Sequence, residues 1–396
     1  MSSSINKRDF LKRIALVGAA GVAVPQSIKA ETLETESKKK VITRTLGRTG
    51  IKVPVLSSGA LSWGNEGLVR AIFKSGIKHF DSALVYGEGK NEEMIGKMIK
   101  EFGRKKFVIA SKVKNDFDYK EKKFLSADIG DEFAKKLDKI LKLMQVDSLD
   151  ILYVHDVRCR EQVVHPAIIA AAEKAKKEGK AKFIGVSTHE NVAEVFDAAI
   201  GAGIYDIALG SYNFRSGQDV KDAFARAAQA GLGTVAMKSL AGGFLDKEKT
   251  KPVNKTGGIR SVLQDANVHT VIKGIYSIDE LNQLLSIMYD LNMSEAEKKD
   301  IETAKTYAGL YCLGCGTCRP QCPYGLSVPD MMRAYMYTYG YGEPSRGKEL
   351  VMEHSITEKT CSECPTCSVE CKMGFPVAER IRDIARLRNV SGDFLV

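Results

Sequence analysis

Nine cysteines lie in this 396-residue chain, and eight of them crowd into its last 85 residues. Cys312, Cys315, Cys318 and Cys322 follow the spacing C-x2-C-x2-C-x3-C and run into Pro323. Cys361, Cys364, Cys367 and Cys371 repeat the spacing, with Lys372 where the proline stood. Three thiolates this close can reach three irons of one cubane, and the fourth of each set by rule ligates the other cluster. That rule gives one 4Fe-4S cluster to Cys312, Cys315, Cys318 and Cys371. It gives a second to Cys361, Cys364, Cys367 and Cys322. Structural zinc more often uses two separated C-x2-C pairs or includes histidine. Disulfides inside such triplets are geometrically poor. Gly314 and Gly316 suit a backbone turning tightly around a cluster. Cys159 stands alone in mid-chain as a bystander.

The stretch between the two sets, Val328 to Tyr341, is rich in Met and Tyr and suits a helix whose side chains form a core around the clusters. Val377 to Leu387 reads as a basic amphipathic helix. The set spacing is that of bacterial ferredoxins, and the long helical insert resembles the α-helical variety of ferredoxin. A tail this small cannot account for the whole length, which calls for more than one domain.

The N-terminus is a separate object. Lys7-Arg8, Lys12 and Arg13 precede the apolar stretch Ile14 to Pro25, and Ile28-Lys29-Ala30 offers a cleavage site. This is the order of an export signal. The run Asn6 to Lys12 resembles the twin-arginine motif, with Lys7 in place of the first arginine. The expectation is therefore export to the periplasm by residues 1–30, with 31–42 as linker. A tail, an uncleaved anchor or a cytoplasmic location is the alternative. No run of 18 apolar residues predicts a membrane span in the mature protein. The formal charge of +10 is scattered along helical faces and alternates with acids, so nucleic acid is not an expected partner.

Residues 43–292 alternate short β-branched runs with amphipathic stretches. The strands are expected at Leu56–Gly59, Lys78–Ser82, Phe107–Val113, Leu149–His155, Lys182–Ser187, Ile207–Tyr212, Thr234–Lys238 and Thr270–Gly274. Eight strand–helix units predict an α/β fold, a (β/α)8 TIM barrel, with Thr43 to Val53 as a hairpin plugging its floor. Residues 293–311 then connect to an α-helical ferredoxin-like domain over 312–396. Barrel chemistry sits at the C-terminal ends of the strands. Asp81, Tyr86, Lys112 and His155 fall there. A lysine beside a tyrosine would favour phenolate, a carboxylate would anchor the lysine, and an imidazole could orient a carbonyl. Together they make a proton donor to a carbonyl oxygen. Trp63 near the mouth could touch substrate. The other histidines read as structural or exposed.

These residues carry a resemblance. Thr45-Leu46-Gly47-Arg48-Thr49-Gly50, Asp81-Ser82-Ala83, Tyr86-Gly87-Glu88-Gly89, Asn91-Glu92, Ser111-Lys112-Val113, Tyr153-Val154-His155, Gly185-Val186-Ser187, Tyr212-Asn213 and Met237-Lys238-Ser239-Leu240 are similar, in that order, to the aldo-keto reductases. The resemblance implies a nicotinamide-dependent oxidoreductase, with NAD(P)H as cofactor, no metal in the barrel, and a small carbonyl or alcohol as substrate. It implies cofactor contacts from Ser187, Tyr212, Asn213, Lys238, Leu240 and Gly274. Three positions depart from the family. Leu209 stands where a glutamine often binds the nicotinamide amide, Thr188 where an asparagine often follows Ser187, and Glu280 where an arginine often clamps a phosphate. An acid there would repel a phosphate dianion. The clusters imply a redox partner protein, yet hydride carries two electrons and a cluster passes one. The alternative is therefore a non-catalytic electron-transfer protein using the barrel as a docking scaffold, or clusters that only brace the tail.

Overall fold

The computed structural model describes residues 40–394 apart from 60–63, 120, 363 and 365. The segment expected to direct export, most of the expected linker and Trp63 lie outside the described residues.

A short antiparallel hairpin, β1 (Thr43–Thr45) and β2 (Lys52–Pro54), comes first. Eight further strands close into one parallel barrel: β3 (Leu56–Gly59), β4 (His79–Asp81), β5 (Val108–Val113), β8 (Leu149–Val154), β9 (Ala181–Thr188), β10 (Ile207–Ser211), β11 (Gly233–Met237) and β12 (Thr270–Lys273). β12 pairs with β3 and completes the circle. A second small hairpin, β6 (Phe117–Asp118) and β7 (Lys123–Phe124), interrupts the series outside the barrel. The strands read as runs, not as alternations, because both faces are covered. Every residue of β8, β10 and β11 is buried.

The helix Ile129–Met144 illustrates the outer layer. Ile129, Phe133, Leu137, Ile140, Leu141 and Met144 recur at helical spacing and are all buried, while lysines fill the opposite face. Gln145, with φ 55°, ends it in the left-handed region. Each buried Leu or Phe contributes about 1.5–3 kcal/mol. Phe133→Ala would remove about 3–5 kcal/mol.

The hairpin does plug the barrel floor. Leu46, fully buried, packs with Val53, Ile151, Ile207 and Val235 inside the barrel. Gly47 makes this possible: a Cβ there would lie 2.3 Å from the Gly231 carbonyl oxygen. The helix Glu295–Lys305, opened by a Ser294/Glu297 capping box, leads out of the barrel.

Three helices then form the tail: Val328–Tyr335, Pro344–Glu353 and Val377–Ala385. Val328, Met331, Met332, Val351, Ile381 and Ile384 make their core, and Cys312, Cys318, Cys322, Cys361 and Cys371 pack on it. Barrel and tail belong to one compact unit spanning Val41–Val396. Among the described residues no helix is long and apolar enough to cross a membrane.

Candidate active site at the barrel mouth

The expected four residues meet at the C-terminal rim. β4 ends on Asp81 and β5 carries Lys112, both almost wholly buried. The Lys112 ammonium donates to Asp81 Oδ1 and, at 2.7 Å, to the Ser82 carbonyl. Burial pushes the Asp81 carboxyl up, and Lys112 pulls against it. His155 follows β8, its ring edge-on to Tyr86 with centroids 5.8 Å apart. Burial and the charge of Lys112 hold His155 well below its ordinary pKa, so the ring is neutral at pH 7. Its Nδ1 is buried without a hydrogen-bond partner. Glu92, which the sequence offered only as part of a motif, braces the site: it is buried and accepts from Ser111 Oγ at 2.9 Å.

Tyr86 keeps part of its ring at the surface while its hydroxyl lies deep. Burial raises its pKa above the ordinary phenol value, and the cation opposing that rise is Arg346. The sequence assigned that effect to Lys112. Lys112 does lie 5.5 Å from the Tyr86 ring centroid, but its charge is spent on Asp81. Arg346 comes from the tail helix Pro344–Glu353 and stands 5.3 Å from the same ring.

The tail therefore roofs the mouth. A chamber of about 80 Å³ is lined by Tyr86, Lys238, Leu240 and Gly274 from the barrel and by Tyr341 and Arg346 from the tail. A second, of about 190 Å³, lies on the other side of Tyr86 and is faced by His155, Lys114, Arg333, Tyr337, Glu349 and Glu353. His189, expected to be structural or exposed, lines both.

Of the six expected cofactor contacts, Lys238, Leu240 and Gly274 face the first chamber. Ser187 lies one layer behind, its Oγ accepting from the Asp156 amide at 3.2 Å. Asn213 braces the turn after β11, donating to the Lys238 carbonyl at 3.3 Å. Tyr212 turns outward: it donates to Asp265 Oδ2 at 2.7 Å and lines a groove on the barrel's flank. It follows Ser211, the last residue of β10, one step beyond the inward register. Leu209 joins the apolar interior of the barrel. Ser239, beside Lys238, has a buried hydroxyl without a hydrogen-bond partner and faces the first chamber. Glu280 is neutralised by Lys255 at 2.9 Å and Lys273 at 3.2 Å, so the repulsion expected of it is largely cancelled. Tyr276 Oη donates to Glu343 at 2.7 Å, linking the loop after β12 to the tail.

The thiols fall into the expected two groups. Cys312 lies in the field of Cys318 and Cys371, and Cys318 in that of Cys315 and Cys371. Cys361 lies in that of Cys364, Cys367 and Cys322. The second four surround a cavity of about 220 Å³ walled by Val328, Val369, Val377 and Ile381. Among the described residues no three Cys, His, Asp or Glu converge on a single-ion site. An all-thiol, apolar-walled set suits iron–sulfur chemistry. Gly314 and Gly316 have φ of 65° and 71°, as their turns require.

The eight-stranded parallel barrel thus gathers a neutral imidazole, a phenol and a lysine–carboxylate pair at one rim, groups able to hold and move a proton. Residues 65–297 match the aldo/keto reductase family, and the chain belongs to that family. Residues 311–376 match the 4Fe-4S dicluster domain, which makes the tail an iron–sulfur module. The L-galactose dehydrogenase of Arabidopsis thaliana is 34% identical over 162 residues, covering 37% of this chain and 49% of that protein. The chain thus spans about half the length of that relative. The D-threo-aldose 1-dehydrogenase of a Pseudomonas species is 23% identical over 51% of this chain and 70% of its own. The holo form of aldo-keto reductase AKR11C1 from Bacillus halodurans has the same fold. Its TM-score is 0.55 at 21% identity, over 67% of this chain and 96% of that one.

Proposed function

We propose that this protein is an oxidoreductase that transfers hydride between a nicotinamide dinucleotide and a small polar carbonyl or alcohol. The observation that carries the reading is the convergence of Tyr86, His155 and the Lys112–Asp81 pair beneath a chamber faced by Lys238, Leu240 and Gly274. The dinucleotide, when bound, would supply or accept the hydride. Lys238, the orphaned Ser239 hydroxyl, Leu240 and Gly274 would hold it. Tyr86 gives its proton to the carbonyl oxygen. His155, neutral, fixes that oxygen against the phenol. Lys112 and Asp81 hold the floor of the site rigid and exclude water. The charged lining of the second chamber, with Lys114, Arg333, Arg346, Glu349 and Glu353, favours a polyhydroxylated substrate over an apolar one. Two relatives named for sugar oxidation agree with that preference.

In the tail, Cys312, Cys315, Cys318 and Cys371 would hold one 4Fe-4S cluster and Cys322, Cys361, Cys364 and Cys367 another, for exchange with a redox partner. Residues 1–30 would direct export. The decisive experiment is titration of oxygen-free protein with NADH and NADPH. Saturable binding that survives Tyr86→Phe, with turnover lost, supports hydride transfer. Binding of neither sinks it. The alternative, a barrel kept as a docking scaffold for electron transfer, draws support from Leu209, which offers the nicotinamide amide nothing.

A further inference from the structure

The tail brings more than thiols to the barrel. Its helix Val328–Tyr335 continues into a π-helical turn, Met336–Tyr341, of the kind frequent at functional sites. The turn delivers Tyr337, 3% exposed, onto the end of β11. Tyr337 Oη accepts from Lys238 Nζ at 3.3 Å and from Arg346 Nη2 at 3.1 Å. The guanidinium of Arg346 lies 4.0 Å from the Tyr337 ring centroid and 5.3 Å from that of Tyr86. Lys238, half-buried, has this phenol, not a carboxylate, as its hydrogen-bond partner. Two phenols thus flank one guanidinium, and both line the second chamber with His155.

We propose that Tyr337, carried on the iron–sulfur domain, is a second acid–base group of the barrel's site that stores the proton Tyr86 exchanges with substrate. The inference rests on the reading of Tyr86 as proton donor. In alcohol oxidation the substrate C–H pair leaves as hydride to the oxidised nicotinamide. The substrate O–H bond breaks and its proton goes to the Tyr86 oxygen. The proton Tyr86 already held passes, through water in the shared chamber, to the Tyr337 oxygen as phenolate. Reduction runs the same transfers backwards. One hydride and one proton leave the alcohol, and both are accounted for.

The environments of the two phenols divide the labour. Burial keeps Tyr86 protonated, so it cannot retain an extra proton and must pass one on. Burial acts the same way on Tyr337, but Arg346, Lys238 and Arg333 outweigh it and hold the hydroxyl below the ordinary phenol value. Such splitting is how paired groups acquire opposite roles. Facing Tyr337 are Lys238 after β11, Arg333 on the preceding helix, Arg346 and Glu343 on the next, and Tyr311 and Tyr341. Across the chamber lie Tyr86, Lys114, His155, Asp156, His189, Glu349 and Glu353.

The test uses the full chain, oxygen-free and cluster-loaded, with tyrosine labelled with carbon-13 at Cζ. One phenol resonance should move to its phenolate position at lower pH than free tyrosine. It should vanish in Tyr337→Phe and titrate at higher pH in Lys238→Met. With glyceraldehyde and NADH or NADPH as probes, Tyr337→Phe should lower kcat about 100-fold with KM unchanged, and remove one limb of the pH profile. Circular dichroism and iron content check that each variant folds. If no early-titrating resonance exists, or it persists in Tyr337→Phe, the proposal fails. It fails too if glyceraldehyde turns over and Tyr337→Phe leaves kcat and profile unchanged. A wild type that binds neither dinucleotide refutes the hydride reading, and with it Tyr337's role in proton storage, whatever the resonance does.

Discussion

Arg158 should be among the costliest single residues to remove. It is 2% exposed where the barrel meets the tail. Its guanidinium lies 2.8 Å from Asp156, 2.5 Å from Asp330 and 3.3 Å from Glu190. Arg333 pairs with Asp330 and stands 3.7 Å from Asp156, while Arg319 reaches Glu190 at 2.7 Å. Three guanidiniums therefore face three carboxylates, and the buried group is neutral. Arg158→Met keeps most of the volume and leaves one negative charge uncompensated. Breaking a buried pair from one side costs about 3–5 kcal/mol. Arg333 still pairs with Asp330 and stays near Asp156, so the lower end, about 3 kcal/mol, is expected. The assay is anaerobic urea unfolding followed by circular dichroism. Asp330→Asn alone should cost a similar amount. The double variant restores neutrality and should lose less than the sum, by about 2 kcal/mol or more. A single-variant loss below about 1 kcal/mol, or strict additivity, would refute the charge-balance reasoning.

Gly314→Ala should destabilise by about 2–4 kcal/mol and loosen the first cysteine loop, because a Cβ there would lie 2.8 Å from the His189 carbonyl oxygen at φ 65°. Gly50→Ala, at φ 71° with nothing within 4 Å, should cost only the backbone strain of about 1–2 kcal/mol, and equal losses would discount the contact. His79 is fully buried and its pKa falls to about 4, so the unfolded chain binds its proton first. Stability should therefore drop as pH falls from about 6.5 to about 4, by roughly 3 kcal/mol from this residue, and His79→Asn should flatten that slope in acid unfolding curves. Cys371→Ala should lower iron from about eight to about four per chain and spare the cluster of Cys361, Cys364 and Cys367. Loss of that cluster instead would reverse the pairing.

The barrel strands were legible because most are short, largely buried runs rich in β-branched residues, set between amphipathic helices. The expected Leu56–Gly59 is β3 itself, and the other seven fall within two residues at each end. The hairpin plug was equally legible from Gly47 and Gly50. Within the site, Asp81, Lys112 and His155 announced themselves by lying at or beside strand ends, and Tyr86 by following one closely, since the barrel fixes where strand ends go. What failed were statements about direction and partner. Tyr212 was expected to end a strand too, but it lies one residue past β10 and its side chain meets Asp265, 53 residues further along the chain. Lys112 looked like the cation for Tyr86, and only the fold reveals that Asp81 consumes its charge. The Met- and Tyr-rich stretch was read as core around the clusters. Met331, Met332 and Tyr335 do belong to that core, whereas Tyr337 and Tyr341 cross to the barrel mouth. One extra residue per turn at a π bend redirects side chains, and no local pattern announces it. Arg346 and the helix that bears it carried no motif.

The contacts explain why barrel and tail form one unit. Apolar burial alone would allow the tail to settle on the mouth in many ways. The glycine pair fixes distance: a Cβ on Gly340 would lie 2.4 Å from the Gly242 carbonyl oxygen, so the π turn touches the barrel backbone. The Asn191 amide donates to the Gly314 carbonyl at 3.1 Å and pins the first cysteine loop beside His189. Arg158, Asp156 and Glu190 supply half of a charge group that balances only when Asp330, Arg333 and Arg319 arrive. A barrel without the tail would expose Ala241 and leave those charges unmatched. It would also lack Arg346, the cation that offsets the burial of Tyr86. Stability and chemistry thus depend on the same interface, so a substitution there should disturb phenol ionisation and unfolding together.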